Sequence, residues 1–386
     1  MKLKFGLLAR IIVAILGAVL LGQFMPEWFV RIFATFNGLF GGLLSFVVPL
    51  IIIGFIAPGI AQLGSGSGKL LGLATFFAYF STIIAGLLAY FAASSILPKF
   101  IEAKNQSVVE DPSEFLAVAF FEIEMIPIMD VMAALLFAFI IGVGMTVVNS
   151  DVLKRGFDEF NLIIEKLIKV IIIPLLPFHI FGIFLNMTYA GQVAKILSVF
   201  AVVFVLIVVL HWVMLTFQYV VAGLLNGKNP LFLMKTMLPA YFTALGTQSS
   251  AATIPVTLQQ AKKTGASDKV TDFTIPLFAT IHLSGSTITI VTCALGVMLM
   301  NGVEFSFATI IGFIFMLGVT MIAAPGVPGG GVMAAIGLLG SMLGFDETMI
   351  ALMIALYMAQ DSFGTATNVT GDGALAMIVD RFSKTK

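Results

Sequence analysis

Eight stretches of this 386-residue sequence are each long and apolar enough to cross a bilayer, and that limits the fold more than any motif does. At about 1.5 Å of rise per residue, roughly 20 apolar residues cross the ~30 Å hydrocarbon core. The stretches lie near 5–24, 38–62, 70–97, 116–149, 160–188, 193–225, 270–300 and 347–379. Inside hydrocarbon every backbone N–H and C=O must be paired within the protein, and runs of this length achieve that as helices. Only 10% of the residues are charged, against roughly 25% in soluble domains, so a soluble globule could not cover its surface. Soluble enzymes and disordered chains are excluded. A nucleic-acid binder is excluded too, because Lys+Arg 20 balance Asp+Glu 20. The single cysteine, Cys293, rules out internal disulfides and cysteine-based metal clusters. Lys2 and Lys4 precede the run Phe5–Phe24, which suits a retained span better than a cleaved signal with a core of roughly 7–15 residues.

Two more apolar segments, near 230–261 and 305–343, are interrupted in the middle. Thr247-Gln248-Ser249-Ser250 breaks the first, and Pro325-Gly326-Val327-Pro328-Gly329-Gly330-Gly331 breaks the second. Facing lipid, such breaks would strand unpaired backbone groups at a cost of several kcal/mol each, so they belong where protein or a watery cavity surrounds them. Both are expected to be re-entrant helical hairpins whose tips meet near the membrane midplane, the mark of an inverted repeat around a transport site. The competing reading is a pair of ordinary kinked spans. With eight crossings both termini share one side. Placing that side in the cytoplasm puts 16 of the 20 Lys and Arg there, leaving Arg31, Lys99, Lys104 and Lys195 outside. The expected location is the cell membrane, multi-pass, with both termini cytoplasmic.

The last span carries the sharpest chemical signal. Asp361, Thr365, Asn368 and Asp372 fall on one stripe of a helix with 3.6 residues per turn. An unpaired carboxylate costs at least about 2.5 kcal/mol at the bilayer centre, yet no Lys or Arg is close in sequence. Mobile cations and a substrate ammonium would supply the missing charge; protonated acids bonding neighbouring helices are the plainer alternative. The seventh span offers Thr280-Ile281-His282-Leu283-Ser284-Gly285-Ser286, where a glycine among hydroxyls suggests local unwinding and carbonyls free to ligate Na⁺. Hairpin tips offer helix N-termini suited to a carboxylate. Glu122, Glu124 and Asp130 are expected at an outer interface, and His179 and His211 are read as packing residues.

Three motifs, Ser249-Ser250-Ala251-Ala252-Thr253-Ile254-Pro255, Gly326-Val327-Pro328-Gly329 and Asn368-Val369-Thr370-Gly371-Asp372, resemble signatures of the dicarboxylate/amino acid:cation symporters, the glutamate-transporter homologues. With the span order, the resemblance covers essentially the whole chain. It implies an all-α membrane protein of eight transmembrane helices plus two re-entrant hairpins, working as a homotrimeric elevator with inverted repeats. Residues 1–66 and 99–190 would form the scaffold, and 67–98 and 191–386 the transport domain.

Carried over residue by residue, the resemblance gives Asp361 the substrate's amino group, and Asn368 with Ser249 and Ser250 its carboxylate. Thr365, Ser286, Val327 and Gly329 would line the same site. Asp372 with carbonyls near Phe278, His282 and Asn368 would hold one Na⁺, and Thr280 with carbonyls around Ala323 and Ala324 a second. Acidic-substrate members place an arginine where this sequence has Gly364, and archaeal members place another where it has Gln248. Without them a second substrate carboxylate would be buried uncompensated, so a neutral amino acid is expected, with Gly364 freeing room for its side chain.

The family's Asn-Met-Asp-Gly-Thr reads His282-Leu283-Ser284-Gly285-Ser286 here. That weakens a third ion site built from Ser81, Thr82 and Ser284, and makes His282 a candidate proton carrier. The expected activity is therefore symport of a neutral amino acid, less so of an acidic amino acid or dicarboxylate, across the inner membrane. It would be coupled to Na⁺ or also to H⁺. No enzyme activity, cofactor or nucleic-acid partner is expected. A passive anion channel on the same scaffold is the alternative.

Overall fold

The computed structural model describes residues 7–64, 68–101, 116–148, 150–191, 193–322, 324 and 328–384. Those residues are helical apart from turns, linkers and one extended segment. The helices are α1 (Leu7–Leu21), α2 (Glu27–Gly64), α3 (Gly68–Ile101), α4 (Val131–Val148), α5 (Asp151–Leu167), α6 (Ile173–Tyr189), α7 (Val193–Asn226), α8 (Pro230–Thr247), α9 (Ser250–Lys263), α10 (Asp268–Ile281), α11 (Ser284–Met300), α12 (Phe307–Ile322), α13 (Gly330–Leu343) and α14 (Glu347–Lys384).

Six helical runs among the described residues are long and apolar enough to cross a membrane: 27–61, 69–101, 151–189, 196–226, 268–300 and 347–383. The helices α1 and α4 are shorter. The third, sixth, seventh and eighth expected spans are therefore present within a few residues of where the sequence puts them. By contrast, α2 begins well ahead of the second, at Glu27, and α1, with 15 residues, is shorter than the first. The fourth is not as expected. Its first half, 116–130, is extended chain, and only Val131–Val148 is helical. The cause lies in side chains that replace a helix's own pairing. Asn186 clamps Ala117 from both sides, its Oδ1 accepting from the Ala117 N–H at 2.8 Å and its Nδ2 donating to the Ala117 carbonyl at 2.9 Å. Thr35 Oγ1 accepts from the Phe120 N–H at 2.8 Å, and Arg31 Nε donates to the Val118 carbonyl at 3.0 Å. Pro127 further disfavours a helix through this stretch.

The fifth span also starts earlier than expected. An amphipathic helix, α5, capped by the Ser150 hydroxyl, runs through a π-turn at Ile168–Ile172 into α6. Pro174 follows the π-turn directly and has no N–H to give, so the wider turn falls where the ordinary ladder is already broken.

Two apolar cores organise the chain. The larger one gathers α1, α2 and α6 with parts of α3, α11, α12, α13 and the first half of α14. The smaller one joins α3, α7, α8, α9 and α10 to the second half of α14. So α14 runs through both, and its polar middle lies where they meet.

Candidate functional site

Three interruptions break helices that pack against α14, and each is made by a specific local conformation. The first expected hairpin is α8 and α9, which turn back on each other at Gln248 and Ser249. Gln248 takes a left-handed φ of 53°, the one non-glycine residue to do so among those described. Its N–H closes α8 on the Ala244 carbonyl at 2.9 Å. Ser249 is extended and caps α9, its hydroxyl accepting from Ala252 N–H at 3.3 Å. Ser250 is the buried first residue of that helix.

The second hairpin is α12 and α13, whose tip ends at Gly329 with a left-handed φ of 75°. Ala323 and Val327, expected in this tip, lie outside the described residues. The third interruption splits the seventh span at His282 and Leu283, both non-helical, just ahead of the predicted glycine.

The polar stripe is buried as the sequence requires. Asp361, Thr365, Asn368 and Asp372 are each 5% exposed or less. Asp361 Oδ2 accepts from the Gly329 N–H at 2.8 Å, so the second hairpin tip is bound directly to the acid. The Tyr357 hydroxyl, one turn earlier, hydrogen-bonds with Asp361 and Ser286 and packs so closely on Gly331 that a Cβ there would lie 2.5 Å from it. Asn368 reaches the other way. Its Oδ1 accepts from the N–H groups of Gly285 at 2.8 Å and Ser286 at 3.3 Å, and its Nδ2 donates to Ser286 Oγ at 3.0 Å. It therefore caps the freed N-terminus of α11, satisfying donors that the break had orphaned.

Gly364 packs on α11. A Cβ at 364 would meet Ser286 N, the Gly285 carbonyl carbon and Thr289 Oγ1 at 3.5–3.6 Å, ordinary van der Waals contact with α11. Behind it, His211 Nε2 lies 3.0 Å from the Gly285 carbonyl and 3.3 Å from Thr289 Oγ1. His179 pairs with the Asn37 amide at 3.1 Å, away from the stripe.

Asp372 is the centre of a second polar cluster. Its Oδ1 lies 2.8 Å from His282 Nδ1, and His282 Nε2 lies 3.0 Å from Ser81 Oγ. Gln218 Nε2 donates to Ser81 Oγ at 2.9 Å and reaches Ser284 Oγ at 3.5 Å. Asp372 Oδ2 is buried without a partner. An orphaned carboxylate oxygen in a dry interior suits a hard cation such as Na⁺. Among the described residues neither Asp361 nor Asp372 pairs with a Lys or Arg.

Other expected ligands are differently placed. The Phe278 carbonyl accepts from His282 N–H at 2.9 Å. Thr280 is exposed, and its hydroxyl donates to the Leu277 carbonyl within its own helix at 2.7 Å. Thr82 likewise donates to Ala78 at 2.9 Å. Ala324 is buried at the end of α12. Glu122, Glu124 and Asp130 sit exposed on the extended segment, outside the site as expected. Gln218 and Tyr357 were not picked out from the sequence. Neither belongs to one of the three motifs, although Tyr357 lies one turn ahead of Asp361 on the same helix.

A multi-pass helical membrane protein whose buried acids stand beside broken helices, paired with no Lys or Arg among the described residues, belongs to the class of membrane transporters. The model of the sodium:dicarboxylate symporter family matches residues 7–382, and the chain belongs to that family. Excitatory amino acid transporter 1 of Bos taurus is 32% identical over 241 residues, 61% of this chain and 44% of the relative. The chain thus matches less than half the length of that relative. An excitatory amino acid transporter of Caenorhabditis elegans is 26% identical over 264 residues, 66% of this chain and 52% of the relative. The serine/threonine transporter SstT of Streptococcus thermophilus (strain CNRZ 1066) is 23% identical over 392 aligned positions, covering 98% of this chain and 96% of that one.

Proposed function

We propose that the protein is a secondary active symporter for a neutral amino acid, driven by Na⁺, with no enzymatic step and no cofactor. The observation that carries this is Asp361: a buried carboxylate without a fixed cationic partner among the described residues, closed over by the Gly329 amide. A substrate ammonium supplies what that site lacks. Asn368, Ser249, Ser250, Thr365 and Ser286 then offer neutral donors and acceptors for the substrate's other groups.

Two residues favour a neutral side chain. Gly364 stands where acidic-substrate members of the family keep an arginine, and Gln248 where archaeal members keep another, so a second carboxylate would be buried without compensation. The relative that aligns along nearly the whole chain is named as a serine/threonine transporter, which agrees with this reading. The Na⁺ ions are cargo, held by Asp372 with backbone carbonyls at the break, and at a second position by Thr280 with the end of α12.

The motion we assign is an elevator. Residues 67–98 and 191–386 move against a trimeric scaffold of 1–66 and 99–190, with both termini in the cytoplasm. In support, a cavity of about 330 Å³ separates α2 and α6 from α13 and α14, leaving part of that boundary unpacked.

Uptake by purified protein in proteoliposomes tests the proposal. With an inward Na⁺ gradient, serine, threonine or alanine should accumulate, and Asp361→Asn should lower the rate by at least about a hundredfold, as loss of a buried charge contact does. Preference for aspartate or a dicarboxylate would overturn the substrate assignment. Accumulation driven by a pH gradient without Na⁺ would overturn the coupling ion. Failure of labelled substrate to counterflow would leave a channel.

A further inference from the structure

The hydrogen bonds around Asp372 run in one direction, and they start at Gln218 on α7. Its amide is 2% exposed and donates from Nε2 to Ser81 Oγ. The Ser81 hydroxyl lies 3.0 Å from His282 Nε2, and His282 Nδ1 lies 2.8 Å from Asp372 Oδ1. A hydroxyl that accepts from the amide sends its own proton on to Nε2. An imidazole that accepts at Nε2 carries its proton at Nδ1, where it donates to the carboxylate. Turning the amide round would reverse the series, and a bare Nδ1 lone pair would then face a carboxylate oxygen.

The surroundings of the amide favour this sense: His282 Nε2 is a further acceptor 3.4 Å from Gln218 Nε2, while Oε1 is buried without a partner. The α14 backbone presses on it, because a Cβ at Gly371 would sit 2.5 Å from Gln218 Oε1 and 3.1 Å from Nε2. Ser284 Oγ is another acceptor for the same nitrogen. On the other side lies a cavity of about 230 Å³, where Phe77, Phe80 and Phe217 offer the amide no competing partner.

We infer that Gln218 is a positioning residue for the coupling cation: through Ser81 it holds His282 as the Nδ1–H tautomer, whose bond to Asp372 Oδ1 leaves Oδ2 directed to the ion. The inference rests on the reading of Asp372 as a cation ligand given above. It adds a residue from a different helix, without which the carboxylate would lose its orientation. Partners behind a metal ligand commonly change affinity by about 10–100-fold when removed.

The test is the Na⁺ dependence of uptake by Gln218→Leu in proteoliposomes, with Ser81→Ala breaking the same series at its next member should the leucine variant not fold. The Na⁺ concentration for half-maximal uptake should rise about tenfold. The amino acid KM at saturating Na⁺ should stay within about twofold of the parent. Nitrogen-15 spectra of histidine-labelled protein, with the His282 signal identified by its loss in His282→Asn, should show Nδ1–H in the parent and a mixture of tautomers in the variant. In the His282→Asn background, Gln218→Leu should have little further effect. An unchanged Na⁺ dependence, an unchanged tautomer, or an equal rise in both half-saturation values would each overturn the inference. Asp372→Asn separates the two readings. If it retains Na⁺ dependence the cation assignment fails, whereas if it loses Na⁺ dependence while Gln218→Leu behaves as the parent, only the role of Gln218 falls.

Discussion

Gly285 shows how much a single residue can constrain this site. A Cβ there would lie 2.4 Å from the Gly364 carbonyl oxygen and 2.7 Å from Thr367 Cβ, and the first of these is backbone that cannot step aside. Gly285→Ala should therefore force α11 away from α14 and cost about 1–3 kcal/mol, as overpacking does, read as a lowered Tm in detergent. Gln248 carries strain of the opposite kind. At its left-handed φ a glycine is unstrained, so Gln248→Gly should stabilise the tip by about 0.5–1 kcal/mol, seen as slower hydrogen exchange across 247–250.

The legibility of the site also divides at this scale. The acids and amide of the last span were readable because helical spacing stacks them on one face, and a buried acid demands a reason. Gln218 and Ser81 acquire meaning only from neighbours far along the chain, being separated from each other by 137 positions. Spacing within one helix holds no trace of such a meeting. Sequence reading set Ser81 beside Thr82 as ion ligands, whereas the structure turns Ser81 toward His282 and Thr82 into its own helix.

Among the elements, the helix breaks were the most predictable, because polar and glycine-rich interruptions of apolar runs have few tolerated places in a membrane. The split in the seventh span falls at His282 and Leu283, with Asn368 supplying the cap that α11 lacks in its own sequence. The fourth span was misjudged for the converse reason. Apolar content does not separate helix from extended chain when side chains elsewhere claim the backbone. Asn186→Leu removes the clamp on Ala117 and leaves its N–H and C=O without these partners. The expected result is faster exchange and proteolysis at 116–121 and a loss of about 1–3 kcal/mol in stability, with α2 and α6 unaffected.

Across the whole molecule, the boundary between α2 and α13 is where the proposed motion must show itself. Val48 and Gly337 line opposite walls of the same 330 Å³ cavity, and the chain's one natural thiol, Cys293, is fully buried. A Val48→Cys, Gly337→Cys pair joined by a short thiol cross-linker should lower uptake by more than about tenfold, equivalent to an effective barrier higher by about 1.4 kcal/mol or more. Reduction of a cleavable linker should restore it, and each single variant should resist the reagent. Full uptake in the linked protein would mean that the two sides do not slide past one another.

The Gly329 amide on Asp361 has a thermodynamic consequence. The loop's own amide occupies one acceptor position of the acid. Under the proposed function, an ammonium arriving at Asp361 shares the carboxylate with that amide or takes its place, so binding is set against a bond already made. Calorimetry on such a protein would report a difference between two attachments, and a weak heat would not mean a weak grip.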